Sequence, residues 1–307
     1  MANTYGKVSG TFQEIENAYG KVSGTWQEAD EIYAKNSGTW ELVFAAFTAG
    51  SVQTLSSGSG TFTVPDGANA IHIQASVGGG GGAMRGIDYD KAGGESAGAG
   101  GGSGAYVSDK VFTVTTGETI SYSVGSSGAN GTGTYSGSAG SGTNTTLSGS
   151  TSGSIFTLTG GGGASASGGG VQGPLRSNTA GTAGSNTISG SVITSGNFRD
   201  TDGATKSVTT LTSGPVGTFN QSGNGAVGGN NGNCGGDNCQ IGGSTGAASY
   251  SGNVSGGAGS PVGSSTNGSA GTRGSGGGGG GAQYGPGSTQ GGSGGTGEIQ
   301  YRFLRVN

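Results

Sequence analysis

Few side chains here can do covalent chemistry: 307 residues carry one histidine, His72, and two cysteines, Cys234 and Cys239. His72 sits in Ile71-His72-Ile73. Alternation places it on the polar face of a strand, where it reads as a solvated side chain rather than a catalytic base. The stretch Cys234-Gly235-Gly236-Asp237-Asn238-Cys239 can close a short disulfide loop or keep two thiols. A metal site would need two more ligands, and no histidine is near; an oxidising extracellular setting favours the disulfide. Asp88 with Asp90 and Asp200 with Asp202 are pairs in sequence. A polysaccharide-cleaving enzyme would hold two such carboxylates roughly 5 to 10 Å apart, which spacing along a chain does not establish. Gly235-Gly236-Asp237 is a fragment of a calcium-binding nonapeptide that does not recur, and Gly276 to Gly281 lacks the Gly-Lys-Ser/Thr of a phosphate loop. No cofactor is expected, and the chain reads as a binding protein, not an enzyme.

The elements that would carry such a protein are unusual, because Gly fills 78 positions while Pro fills 5 and charged residues make up 9%. That excludes collagen and most charged disordered tails. A net charge of −4 gives little self-repulsion to keep the chain expanded, and with no basic run it disfavours nucleic acid as a partner. The longest apolar stretch, Leu42 to Phe47, is far too short to cross a bilayer, and Met1-Ala2-Asn3-Thr4-Tyr5 begins no export leader.

Apolar residues alternate with polar ones at Phe62 and Val64, at Ile71, Ile73 and Val77, at Ile120, Tyr122 and Val124, and at Ile299, Tyr301 and Phe303. This is the period of half-buried antiparallel strands. Further strand candidates lie around 105–114 and 154–158, which allows a sandwich or barrel of six to eight strands; no segment sustains a helical period. The segment 298–306 repeats the early alternation and is expected to return to the same sheet. The Gly-rich stretches are then excursions from one end of it. Several carry Gly in triplet register, as at Gly291, Gly292, Gly294, Gly295 and Gly297. Three residues per turn is the polyproline II period, and such helices make no internal hydrogen bonds, so they must bond to neighbours. The expected fold is therefore all-β: a β-sandwich over 48–159 plus 297–307, and a polyglycine II bundle over 160–296 together with 78–104.

An internal repeat of fourteen residues opens the chain: Tyr5, Tyr19 and Tyr33 align, as do Lys7, Lys21 and Lys35, and then Ser9-Gly10-Thr11-Phe12, Ser23-Gly24-Thr25-Trp26 and Ser37-Gly38-Thr39-Trp40. Each unit predicts a β-hairpin with a Ser-Gly turn. A hairpin this small cannot bury its aromatic face alone, so residues 1–47 are expected to dock, through Tyr5, Phe12, Tyr19, Trp26, Tyr33 and Trp40.

Gly60-Thr61-Phe62-Thr63-Val64-Pro65-Asp66-Gly67, then Ile71-His72-Ile73 and Gly78 to Gly82, resembles the Gly-rich domains at the ends of bacteriophage tail fibre and tail tip proteins. Gly104-Ala105-Tyr106, Val111 to Val114, Thr116-Gly117-Glu118, Tyr122-Ser123-Val124-Gly125 and Gly297-Glu298-Ile299 continue the resemblance, as do the N-terminal repeats. The Gly-rich stretches are also similar to the tip adhesins of T-even-type phages, in which parallel Gly helices present loops to a receptor. The resemblance implies a virion tail protein, extracellular, that binds a host cell-surface glycan or outer-membrane protein, assembles with other tail proteins, and is a trimer or a monomer capping a trimeric fibre. Binding would then lie where bulky residues interrupt the glycine: Arg85, Asp88, Tyr89 and Lys91; Leu175 and Arg176; Phe198 and Arg199; Tyr250 and Tyr284. Aromatic and Arg side chains dominate recognition because they bring large contact area on few rotatable bonds. Two alternatives remain, a polysaccharide-degrading tail spike and a secreted Gly-helix protein of structural or ice-binding type.

Overall fold

The computed structural model describes residues 5–8, 11–14, 19–28, 31–36, 38–45, 47–83, 95–132, 136–167, 177–212, 214–225, 227–229, 233–234, 243–250, 254–261, 267–280 and 289–307. They form an all-β protein with three parts: hairpins, a sandwich and a rod bundle.

Each repeat is a two-stranded antiparallel sheet: Tyr5–Val8 with Thr11–Glu14, Tyr19–Val22 with Thr25–Glu28, and Glu31–Asn36 with Thr39–Ala45. Equivalent residues face each other in the first two, Lys7 opposite Phe12 and Lys21 opposite Trp26, and Lys35 is opposite Trp40 in the third. Ser23 and Gly24 have φ of 50° and 88°. Positive φ at both central residues makes a hairpin turn whose twist suits the flanking strands, which is why glycine recurs there.

The sandwich is built of two antiparallel sheets. One has the order Val192–Ile193, Tyr106–Thr113, Ala70–Val77, Glu298–Leu304, Gln53–Leu55, with Gln221–Gly223 also on Tyr106–Thr113; the other runs Asn186–Ile188, Gly153–Leu158, Thr145–Gly149, Thr119–Ser123, Ser59–Thr63. The two sheets hold six and five strands, more than the alternation counts, because strands of two or three residues such as Val192–Ile193 are too short to show a period. The last long strand does return to the first sheet, beside Ala70–Val77. Ile71, Ile73, Phe112, Ile120, Leu147, Phe156 and Ile299 fill the space between the sheets.

Ala70–Val77 is buried on its outer face too, and this corrects the expectation for His72. The residue is 0% exposed, because part of the segment expected to join the bundle returns to the sandwich: Val192–Ile193 and Gln221–Gly223 pair with Tyr106–Thr113 at the sheet's edge, and Phe198, Val208 and Leu211 pack over its outer face on Val111 and Leu304. Residues 125–131 and 139–143, inside the span 48–159 expected to form the sandwich, bond to rods of the bundle.

The bundle follows from where successive amides point. Along 78–83, N–H groups donate in turn to Ala105, Thr143, Gly295, Gly102, Gly140 and Gly292, so every third residue meets the same neighbour. The carbonyls of Gly79 and Gly82 accept from Gly161 and Ala164, those of Gly80 and Ala83 from Gly128 and Gly131, and that of Gly81 from Gly277. This is the threefold rotation of polyproline II geometry, and it gives the rod six neighbours. Rods 98–105 and 274–280 are surrounded in the same way. The three bond to one another in a cycle: Gly81 donates to Gly102, Gly101 to Gly277, and Gly277 to Gly81.

Around this triangle, among the described residues, nine rods close a ring: 125–131, 139–143, 159–164, 181–184, 225–229, 243–247, 256–260, 268–271 and 290–297, each bonded to the next and the last to the first through Gly294 to Gly128 and Gly297 to Gly125. A triangle of rods with nine around it is a patch of hexagonal lattice. Position in the lattice explains the sequence of each rod. The central rods are mostly glycine, because a Cβ at Gly80, Gly81, Gly101 or Gly277 would fall on a backbone carbonyl of Ser275, Gly162, Gly81 or Gly292. None of these four lies at positive φ, so lack of space and not backbone strain excludes a side chain. Several ring rods and their continuations carry an exposed side chain once per turn: Ser126, Ala129 and Thr132; Ser138, Ser141 and Asn144; Thr179, Thr182 and Ser185.

Gly101→Ala is expected to destabilise the protein by about 3 kcal/mol, since backbone on both sides of the gap has to move and hydrogen bonds are lost. Ala258→Ser, on an outward position of a ring rod, is expected to stay within about 0.5 kcal/mol. Urea midpoints of the two variants against the parent check the pair.

Candidate functional site: the outer end of the bundle

Every ascending rod leaves the sandwich and every descending one returns to it, so the bundle has a free end. Level with one another there are Ala83 and Gly292, Gly131 and Ala83, Ala139 and Ala164, Gly98 and Gly280, Ser260 and Gly279, and Gly268 and Gln290, as their hydrogen bonds show. Described residues flanking 84–94, 133–135, 168–176, 230–242, 262–266 and 281–288 all belong to this end.

Side chains brace it. Asn130 Nδ2 donates to Gln290 Oε1 (3.1 Å), Asn267 Oδ1 accepts from the Gln290 amide (2.9 Å), Asn178 Nδ2 donates to the Ala97 carbonyl (2.6 Å) and Ser244 Oγ to the Gly98 carbonyl (2.9 Å). Ala99, Ala139, Ala164 and Ala166 form a small apolar contact among the rods. Short ladders join Gly137–Ser138, Ser165–Ser167 and Ser177–Thr179, and pair Glu95–Ser96 with Asn233–Cys234. The result is a polar platform whose spacing is set by backbone bonding. Its bracing amides were missed in the sequence, although Asn and Gln where the glycine triplets stop are a usable signal.

Of the sequence candidates, Arg85, Asp88, Tyr89, Lys91, Leu175, Arg176, Tyr284 and Cys239 lie outside the described residues, and Cys234 enters only through its backbone pairing. Phe198, Arg199 and Tyr250 are at the sandwich and not at the free end. Phe198, 2% exposed, fills the outer face of the first sheet under the Arg302 guanidinium, 5.5 Å from its ring. Arg199 is half-buried in the strand Asn197–Arg199, its carbonyl accepting from Ala49. Tyr250, 1% exposed, packs against Tyr106 where the bundle meets the sandwich, and burial pushes its hydroxyl pKa up. The reading of Phe198 and Tyr250 as contact residues is therefore corrected. Interruption of glycine marks a side chain that needs room, and a core supplies room as well as a surface does.

A charged network on the outer face of the first sheet is organised around Arg302. Its Nη1 donates to Asp200 Oδ1 (2.6 Å), and Lys206 Nζ meets Asp200 Oδ2 (2.6 Å) and Asp202 Oδ2 (3.3 Å). The Asp200-Thr201-Asp202-Gly203 turn is thus neutralised by cations from within the chain, and among the described residues no group of three His, Cys, Asp or Glu is placed to hold a metal ion. Burial raises the Asp200 pKa, but Lys206, the Thr201 amide and Arg302 outweigh it and hold the carboxyl at about 2.

Because the folded carboxyl titrates below its unfolded value, its stabilisation is complete above about pH 4 and is lost from there down to about pH 2. Asp200→Asn is expected to cost about 3 kcal/mol at pH 7, where it leaves Arg302 unpaired. The difference from the parent should shrink between pH 4 and pH 2 in urea unfolding.

A family model for the glycine-rich domain matches residues 54–304, and no curated protein matches the chain. The matched span begins in the strand Gln53–Leu55, after the hairpins, and ends with Glu298–Leu304, so it takes in both sandwich and rods. The chain belongs to the glycine-rich domain family.

Proposed function

We propose that the protein is a bacteriophage tail fibre or tail tip adhesin, in which the lattice holds the turns of its free end towards a host cell-surface glycan or outer-membrane protein. The observation that carries this reading is polarity: the sandwich occupies one end of the bundle, and at the other end the described rod ends lie level with one another and away from it. A stiff lattice that keeps turns in register lowers the ordering cost of binding, which suits a receptor contacted at many points. The hairpin repeats, each a small sheet of its own, suit docking to other tail proteins, either in a trimer or as a cap on a trimeric fibre. The lone histidine is buried, which favours binding over catalysis as the role of this chain.

Exchange of segments 84–94 and 168–176 for those of a related particle is expected to move host range to that of the donor while leaving assembly intact. Assembled particles with unchanged host range would overturn the assignment of the free end. A second reading rests on the outward columns of Ser, Thr and Ala, which repeat about every 9 Å along a rod. A secreted ice-binding protein would use them, and it predicts thermal hysteresis that an adhesin lacks.

A further inference from the structure

Residues 194–212 form a cap over the outer face of the first sheet, and the one histidine of the chain is sealed beneath it. Arg302 joins the two. While Nη1 holds Asp200 of the cap, Nε donates to His72 Nδ1 at 3.4 Å. That contact takes a lone pair on Nδ1, which puts the proton of the neutral ring on Nε2, 3.3 Å from Asp109 Oδ1. The charged groups facing the imidazole are Asp109 from Tyr106–Thr113, Arg302 from Glu298–Leu304, and Asp200 from the cap, itself bonded to Lys206. Asp109 is fixed by the Gly214 amide (2.7 Å) and by Ser108 Oγ (3.3 Å).

A second proton on His72 has one place to go, Nδ1, where it replaces a hydrogen bond from Arg302 by the contact of two cations. We propose that His72 is an acid-operated latch: its protonation displaces Arg302, frees Asp200, and releases the cap 194–212 from the sheet. Release uncovers Val111 and Leu304 together with Phe198, Val208 and Leu211 of the cap itself. Burial, with help from Arg302, keeps the imidazole pKa below its ordinary 6.5 against the pull of Asp109 and Asp200. The unfolded chain therefore binds the proton first, and closure weakens as pH falls below about 6.5. Asp200, held at about 2, stays charged through this range, so its own protonation does not drive the opening.

With a single histidine, its ring proton resonance can be followed by NMR in the full-length protein without assignment by mutation. The expected midpoint is below 6.5. Hydrogen exchange over 194–212, corrected for intrinsic rate, should lose about tenfold protection per pH unit through the window between the two midpoints, unfolded and folded, while amides of 78–83 stay constant. In His72→Gln, exchange of the cap should not respond to pH between 7 and 5. A midpoint at or above 6.5, or cap exchange that stays flat while the histidine titrates, would overturn the latch. Should His72→Gln fail to fold, the parent protein's two curves decide alone.

Discussion

Backbone against backbone, at a spacing that leaves no volume for a methyl group, is the contact on which this molecule depends. In an ordinary core, side chains interlock and the backbone keeps its distance. Here amides and carbonyls meet directly across the gaps between rods, and among the described residues the apolar cluster lying between rods consists of four alanines. Each lateral bond contributes about 1 kcal/mol net, close to what ordering a glycine costs relative to alanine, so a lone rod has little reason to form. Only when neighbours satisfy both polar groups of each residue does the balance favour order, as they do along 79–83. Cooperativity is thus a property of the lattice and not of any one segment.

The sandwich gives that lattice its starting register. Thr145 Oγ1 donates to the Val77 carbonyl at 2.8 Å and accepts from the Gly125 amide at 2.9 Å, so one hydroxyl ties the end of a strand to the start of a rod. Ala70–Val77 runs straight into the rod 78–83, and the rod 290–297 runs straight into Glu298–Leu304. Sheet pairing between those strands fixes the register of the two rods that continue them. The cap follows the opposite logic. Phe198, Val208 and Leu211 supply apolar area, and the Arg302 network fixes how they sit.

Strands were legible wherever apolar and polar residues alternate over several positions, as from Ile71 to Val77, because one face meets a core. Rods were legible where glycine keeps triplet register, as from Gly291 to Gly297. Two features escaped. Alternation puts His72 on a polar face, since it shows that a strand has two faces and not whether a remote segment such as the one carrying Phe198 covers the second. The ring rods 125–131 and 139–143 were given to the sandwich, because outward Ser, Ala and Thr dilute the glycine that would identify them. Tyr250 misled for a related reason: a bulky residue amid glycine is as well housed at the joint of two modules as on a recognition loop.

Hexagonal packing has no intrinsic size. A closed barrel admits a fixed number of staves, whereas a raft of parallel rods grows by accretion at its perimeter. An up-and-down pair inserted at a return turn would find docking grooves already present and would leave the three innermost rods untouched. The architecture therefore tolerates a change in the number of rods at its perimeter without a change in the packing at its centre.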